Sequence, residues 1–486
     1  MRTLALLLSC SLVVMGCGSA TPATTSSSDS TSDTSASTGD SASSAGGAGA
    51  GGDSMSSSTQ ASSGGQGGAG SGTTTAGATT SGGSSGTGQG IVVPATPFGS
   101  HLAAYTPGSV LPDVVNQAKL DDLTGKKYDA WKAKFLKAGC GNGRYYVESK
   151  TEAGNLTVSE AHGYGMLLSA IMAGYDPDAR AHFDGLYHFF RDHPSSSSPD
   201  LMSWYQDTSC NDAQGNDSAS DGDLDIAFSL LVADKQWGSC DAINYKAEGL
   251  KVIKAIAAHT LDATKSYVLL GDWAVPGDAK HDSTRSSDFM PDHYRSFGVA
   301  SGSAAWTGLT DSTYTLIATM RSTFSAGKGL LPDFIVSPLS NPKPAPANFL
   351  ESANDGAYDY NACRDPWRLG TDYLVSGDAR AKTEATTLTT WIEGATGGDP
   401  TKIRAGYKLN GTPSAGSDYL TMAFAAPFGV AAMADGNHKA WLNKLWTTIE
   451  GAPSEGYYED TIQLMAMIVM SGNWWSPEAR PVVCDP

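Results

Sequence analysis

Apolar residues recur at helical spacing along most of the chain. Between Thr157 and Tyr175, the residues Tyr164, Leu167, Leu168, Ile171 and Met172 stand at i, i+3, i+4, i+7 and i+8, one broad apolar face of a helix. The same periodicity predicts helices near 120–137, 159–174, 179–193, 221–237, 242–258, 289–300, 302–324, 358–376, 379–397, 417–433, 437–449 and 457–471. Gly, Pro, Asn and Asp separate them. Three connections are long, 194–220, 259–288 and 325–357, and long loops in a compact domain usually carry function. About a dozen helices with loops gathered at one end predict an all-α barrel of helical hairpins around a cleft.

The periodicity is missing from the first 90 residues. Met1-Arg2, the apolar run Leu4 to Met15 and the small residues after it form a secretory signal pattern, too short to span a membrane well. Its end, Val14-Met15-Gly16-Cys17, resembles a bacterial lipoprotein signal, in which Cys17 is lipidated and tethers the chain to a membrane surface; plain secretion is the alternative. Residues 18–90 are nearly all Ser, Gly, Thr and Ala, with Met55 as the one large apolar side chain. Such a stretch cannot bury enough surface to offset its ordering entropy and reads as a flexible tether. The folded part is expected at 91–486.

Charge narrows the partners. The chain carries −18; the first 90 residues hold one Arg and four Asp, which leaves −15 on the folded part. That balance disfavours nucleic acid, which requires a basic face. It suits a solvated surface, or an acidic groove for a cationic partner. The folded part has five cysteines, Cys140, Cys210, Cys240, Cys363 and Cys484, without a Cys-x-x-Cys pair. Disulfides are allowed after export, and an odd count leaves at least one thiol free.

Three polar constellations interrupt the apolar pattern. Glu160 opens the helix at Thr157, just ahead of His162-Gly163-Tyr164-Gly165. Thr157-x-x-Glu160 is a capping box, but the glycines are poor helix formers and permit close approach of a backbone or ligand. The second constellation is Ala219-Ser220-Asp221-Gly222-Asp223-Leu224-Asp225. Ser220-x-x-Asp223 can cap, yet three acids at alternate positions point in different directions and cannot all do so. A calcium loop is the rival reading, and it lacks the later Gly and Glu that such a loop requires. The third runs from Phe349-Leu350-Glu351 through Asn354-Asp355 to Asn361-Ala362-Cys363-Arg364-Asp365-Pro366-Trp367-Arg368. Arg364 and Arg368, one turn apart, could hold a carboxylate or form ordinary salt bridges.

Together with Leu201-Met202-Ser203-Trp204, these stretches resemble glycoside hydrolase family 8, over residues 100 to 475. The resemblance implies an (α/α)6 barrel with an acidic and aromatic cleft at one end. It implies an endo-acting enzyme that cleaves β-1,4-linked glucan, xylan or chitosan with inversion. It assigns Glu160 as general acid and Asp221 as an active-site carboxylate at the cleavage subsite. Many members carry an Asp base three residues before the Arg of the third motif; this chain has Asn361 there, and an amide cannot take a proton from water. A branch with this Asn is expected to use a loop glutamate, here Glu351, with Asp355 and Asp359 as runners-up. Arg364 is expected to orient Asn361 or neighbouring acids.

Sugar rings need aromatic platforms, and the candidates are Trp204, Tyr205, Tyr294, Trp367 and Phe428. The expected partner is a polysaccharide, with chitosan favoured mildly by the acidic balance and a β-glucan the other possibility. A xylanase is the alternative within enzymes, and a surface carbohydrate-binding protein that has lost its base is the alternative outside them. The mechanism needs no metal or other cofactor, and the chain is expected to act as a monomer.

Overall fold

Helices carry most of the computed structural model, which describes residues 93–481 and Cys484. The expected signal segment, Cys17 and the Ser/Gly-rich tether lie outside the described residues. Among those residues are twelve α-helices: α1 (Gln117–Phe135), α2 (Ser159–Ile171), α3 (Ala179–Asp192), α4 (Ser220–Trp237), α5 (Tyr245–His259), α6 (Pro291–Ser301), α7 (Ala305–Phe324), α8 (Asp365–Ser376), α9 (Ala379–Thr396), α10 (Met422–Ala432), α11 (Lys439–Glu450) and α12 (Tyr457–Met470).

The even-numbered helices form an inner ring, α2 on α4, then α6, α8, α10 and α12 in turn. A hydrogen bond from Tyr457 on α12 to Glu160 on α2 closes it. Each odd-numbered helix backs an inner one: α1 lies on α12, α3 on α2, α5 on α4, α7 on α6, α9 on α8 and α11 on α10. This is the (α/α)6 barrel. The sequence explains the two rings. Outer helices have a single apolar stripe, such as Trp441, Leu442, Leu445, Trp446 and Ile449 on α11. Two inner helices are buried around their whole circumference, which a one-face reading understates: α10 buries every residue, and α2 buries every residue except Glu160.

Two glycines set the contact between α2 and α4. A Cβ on Gly163 would stand 2.8 Å from Asp225 Cβ, and one on Gly222 would stand 2.6 Å from the Ser159 carbonyl carbon. The glycines of the motifs therefore serve backbone approach. Gly222→Ala is expected to force the helix starts apart and cost about 1–3 kcal/mol. Thermal unfolding reads this as a clear fall in Tm; an unchanged Tm would mean that the two helices can slide without penalty.

The long connections are not structureless. Seven short strands lie among the described residues: β1 (Leu136–Ala138), β2 (Tyr145–Val147), β3 (Asn155–Val158), β4 (Tyr205–Asp207), β5 (Ser283–Arg285), β6 (Phe334–Val336) and β7 (Lys343–Pro344). They pair antiparallel as β1–β2, β3–β4 and β5–β6–β7. Thr157 belongs to β3 and pairs with Gln206, so the expected capping box does not form, and α2 starts after Val158 without a side-chain cap. Likewise Ala219, not Ser220, is the N-cap of α4. Disulfides join Cys140 to Cys210 and Cys240 to Cys484, and Cys363 stays a buried thiol.

Candidate active site

Glu160 and Asp221 open adjacent inner helices, and Arg364 holds both. Arg364 Nη1 donates to Glu160 Oε2 at 2.7 Å and to Asp221 Oδ2 at 3.2 Å. Tyr457 donates to the other Glu160 oxygen at 2.9 Å. The two carboxyls nevertheless differ. Burial pushes the Glu160 carboxyl up, and the negative charge of Asp221 adds to it, against the pull of Arg364 and Tyr457. Asp221 is also buried, but Arg285, Arg364 and the Gly222 N–H prevail and hold it below the usual carboxylate range. One group is biased to keep a proton and its neighbour to lose one.

The three acids at the start of α4 do separate work. Asp221 faces this centre. Asp223 accepts from the Met202 N–H at 2.9 Å and so pins the connection that bears Trp204. Asp225 takes both Arg368 Nη atoms, at 3.0 and 2.6 Å, and His293 at 2.9 Å, tying α4 to α8 and α6. Although burial opposes it, Arg368 and His293 hold the Asp225 carboxyl at about 2. Arg364 and Arg368 thus hold different carboxylates.

Across Arg364 lies the second half of the site. Arg364 Nη2 donates to Asn361 Oδ1 at 3.0 Å, which turns the Asn361 amide nitrogen toward Glu351 Oε2 at 2.7 Å. An amide fits here because its neighbours demand an acceptor on one side and a donor on the other. An aspartate would set two carboxylates against each other. The Glu351 side chain keeps 22% of its surface exposed, against 16% for Glu160 and 4% for Asp221.

The runners-up to Glu351 are occupied elsewhere. Asp355 accepts the backbone N–H groups of Leu350 at 2.6 Å, Glu351 at 3.0 Å and Ser352 at 2.8 Å, so it builds the loop that presents Glu351. Asp359 is largely buried, and burial lifts its carboxyl to about 6. Beneath them, Asp333 accepts from the Asp359 and Ala362 N–H groups at 3.0 and 2.7 Å and fixes the turn that carries Asn361.

Of the expected platforms, only Trp204 stays partly exposed; its indole N–H is held by the Gln214 carbonyl at 3.0 Å, and its own carbonyl accepts from the first N–H of α2. Tyr205, Tyr294, Trp367 and Phe428 are buried and offer no face to a sugar. Tyr294 spends its hydroxyl on the Asp288 carbonyl. Sequence reasoning missed Tyr457 and Arg285, for which the sequence offered no motif.

At the mouth of this helical double ring stand one carboxyl pushed above its usual range, one held below it, and a third across an Arg–Asn bridge, the kind of carboxyl cluster found at hydrolytic sites. The model of the family "Glycosyl hydrolases family 8" matches residues 114–472. The chain belongs to that family and is a glycoside hydrolase. It is 49% identical over 385 residues to a β-glucanase of Niallia circulans, covering 79% of this chain and 92% of that one. It is 39% identical over 382 residues to an endoglucanase of Bacillus sp. (strain KSM-330), covering 76% and 80%. The apo structure of a β-1,3-1,4-glucanase from Paenibacillus sp. X4 superposes with a TM-score of 0.76 at 48% identity, covering 79% of this chain and all of that one.

Proposed function

We propose that this enzyme cleaves β-glucan chains internally, with inversion, using Glu160 as general acid and Glu351 as general base. The observation that carries this reading is the hydrogen-bonded relay Glu160–Arg364–Asn361–Glu351. It connects two carboxyls while keeping a guanidinium and an amide between them. An inverting enzyme needs its acid and base roughly 6.5–9.5 Å apart, so that water can enter between the base and the sugar. Glu160 protonates the departing glycosidic oxygen; Glu351 takes a proton from water on the opposite face of the ring. Asp221, ionised beside the cleavage point, favours the positive charge that develops on the sugar. Asn361 replaces the Asp base found in many relatives, and the base moves to the loop glutamate it holds.

The names of the relatives favour β-glucan over xylan. They also favour it over chitosan. The acidity of the site argues the same way, because Arg285 and Arg364 already pair its carboxylates and leave little free charge for an amino sugar. Chitosan remains the second reading on net charge. Loss of catalysis is disfavoured, because Asn361 is explained by its partners and Glu351 stands ready. Export, by lipidated Cys17 or by secretion, is supported by the Leu4 to Met15 run and by a polymer substrate that cannot enter a cell. Reducing-end release on lichenan, carboxymethyl cellulose, chitosan and xylan tests the assignment. Lichenan or cellulose is expected to be cut fastest; faster release from chitosan would make it an aminoglucan enzyme, and none from any polymer would make it a binding protein.

A further inference from the structure

We propose that Arg285 is a positioning residue that sets Glu351 and Asp221 in register across the cleavage point; this rests on the reading of Glu351 as base. Its Nη1 reaches Asp221 Oδ2 at 3.3 Å and its Nη2 reaches Glu351 Oε1 at 3.5 Å. Both contacts come from one planar fork, so each carboxylate is placed relative to the other. The fork is itself held. Arg285 ends β5 opposite Phe334 of β6, its guanidinium lies 5.5 Å from the Phe334 ring centroid, and its side chain is only 11% exposed.

Glu351 has particular need of such a holder. Its backbone belongs to a loop fixed by Asp355, but the carboxylate itself is gripped at two points, Asn361 on Oε2 and Arg285 on Oε1. A base must aim a lone pair at one water, and a displacement of about 1 Å can cost about a hundredfold in rate. With one grip removed, the side chain can pivot about the other.

The grip is also electrostatic. Arg285 faces Asp221 from α4, Glu351 from its loop, and Asp288 and Arg364 from the turns Ser286–Asp288 and Ala362–Arg364. Glu351 further faces the buried acids Asp333 and Asp359. Without Arg285, Glu351 would keep the Asn361 amide as its remaining side-chain donor among neighbouring acids, and its carboxylate would be free to turn away from the cleavage point.

The test compares Arg285→Gln, Arg285→Lys and Glu351→Gln in the full chain, with kcat and KM on lichenan and thermal unfolding of each. Arg285→Gln is expected to lower kcat about tenfold or more with KM within about threefold. Arg285→Lys keeps the charge but not the fork, and should recover only part of kcat. A folded Arg285→Gln enzyme that keeps the parent kcat, or whose loss falls on KM alone, overturns the proposal. If Arg285→Gln does not fold, Arg285→Lys decides: a lowered kcat at the parent KM supports the role, and a wild-type kcat overturns it. Substantial turnover by Glu351→Gln would remove the base reading and this inference with it; an inactive Glu351→Gln beside an Arg285→Gln enzyme of parent kcat removes only this inference.

Discussion

Glu160→Gln is expected to lower kcat on β-glucan by about a thousandfold while leaving oligosaccharide affinity within about threefold. Gln keeps the shape; its amide oxygen can accept from Arg364 while its NH2 donates to the Tyr457 hydroxyl oxygen, so the barrel mouth should hold together. What it lacks is a proton to give. The loss should therefore depend on the leaving group. An aryl glycoside with an acidic phenol departs without protonation, and on it the variant should approach the parent rate. Equal loss on both substrates would show that Glu160 acts in binding or folding. In the parent enzyme, burial and the charge of Asp221 keep the Glu160 carboxyl above its usual range. Its protonated form thus persists to higher pH, and activity should fall on the alkaline side as the proton is lost.

Glu351→Ala should cost about as much, for the opposite reason, and should respond to a different remedy. Removing the carboxylate leaves water without a proton acceptor and opens space beside Asn361. Azide needs no deprotonation and is small enough for that space. Added azide is expected to restore turnover and yield the glycosyl azide of inverted configuration, visible by NMR. Glu160→Gln should not respond on a polymer substrate, since azide supplies no proton. Absence of azide rescue with full retention of fold would move the base role away from Glu351.

Legibility in the sequence followed how local each feature was. The helices were legible because apolar periodicity is a local signal, and all twelve overlap the expected ranges, although α8 begins at Asp365 rather than 358 and α10 at Met422 rather than 417. The split into two rings needed a closer reading of α2 and α10, whose apolar residues go all the way round. The sheets were illegible because their strands have two to four residues, too few to show alternation. This is also why Thr157 passed for a cap: its pairing partner, Gln206, lies in a distant loop. Glu160, Asp221, Asn361 and Arg364 stood in motifs, and the structure brings them together. Arg285 and Tyr457 stood in none; they meet Asp221 and Glu160 from 64 and 297 residues away. The aromatic candidates failed most often because composition does not say which way a ring faces.

The closure of the inner ring has a consequence for how the protein is made. Its last helix, α12, reaches its first, α2, where Tyr457 completes the grip on Glu160, and it also lies on the outer helix α1, with Trp131 Nε1 donating to Thr461 Oγ1 at 2.8 Å across 330 residues. A ring lacking one stave leaves two apolar flanks bare, so no shorter version is a smaller enzyme. A nascent chain emerging from the ribosome must keep those flanks from associating until its final helix is released, and contacts so distant in sequence form slowly. Catalytic competence arrives with the same event that seals the barrel, and a chain interrupted short of α12 is an aggregation hazard without activity.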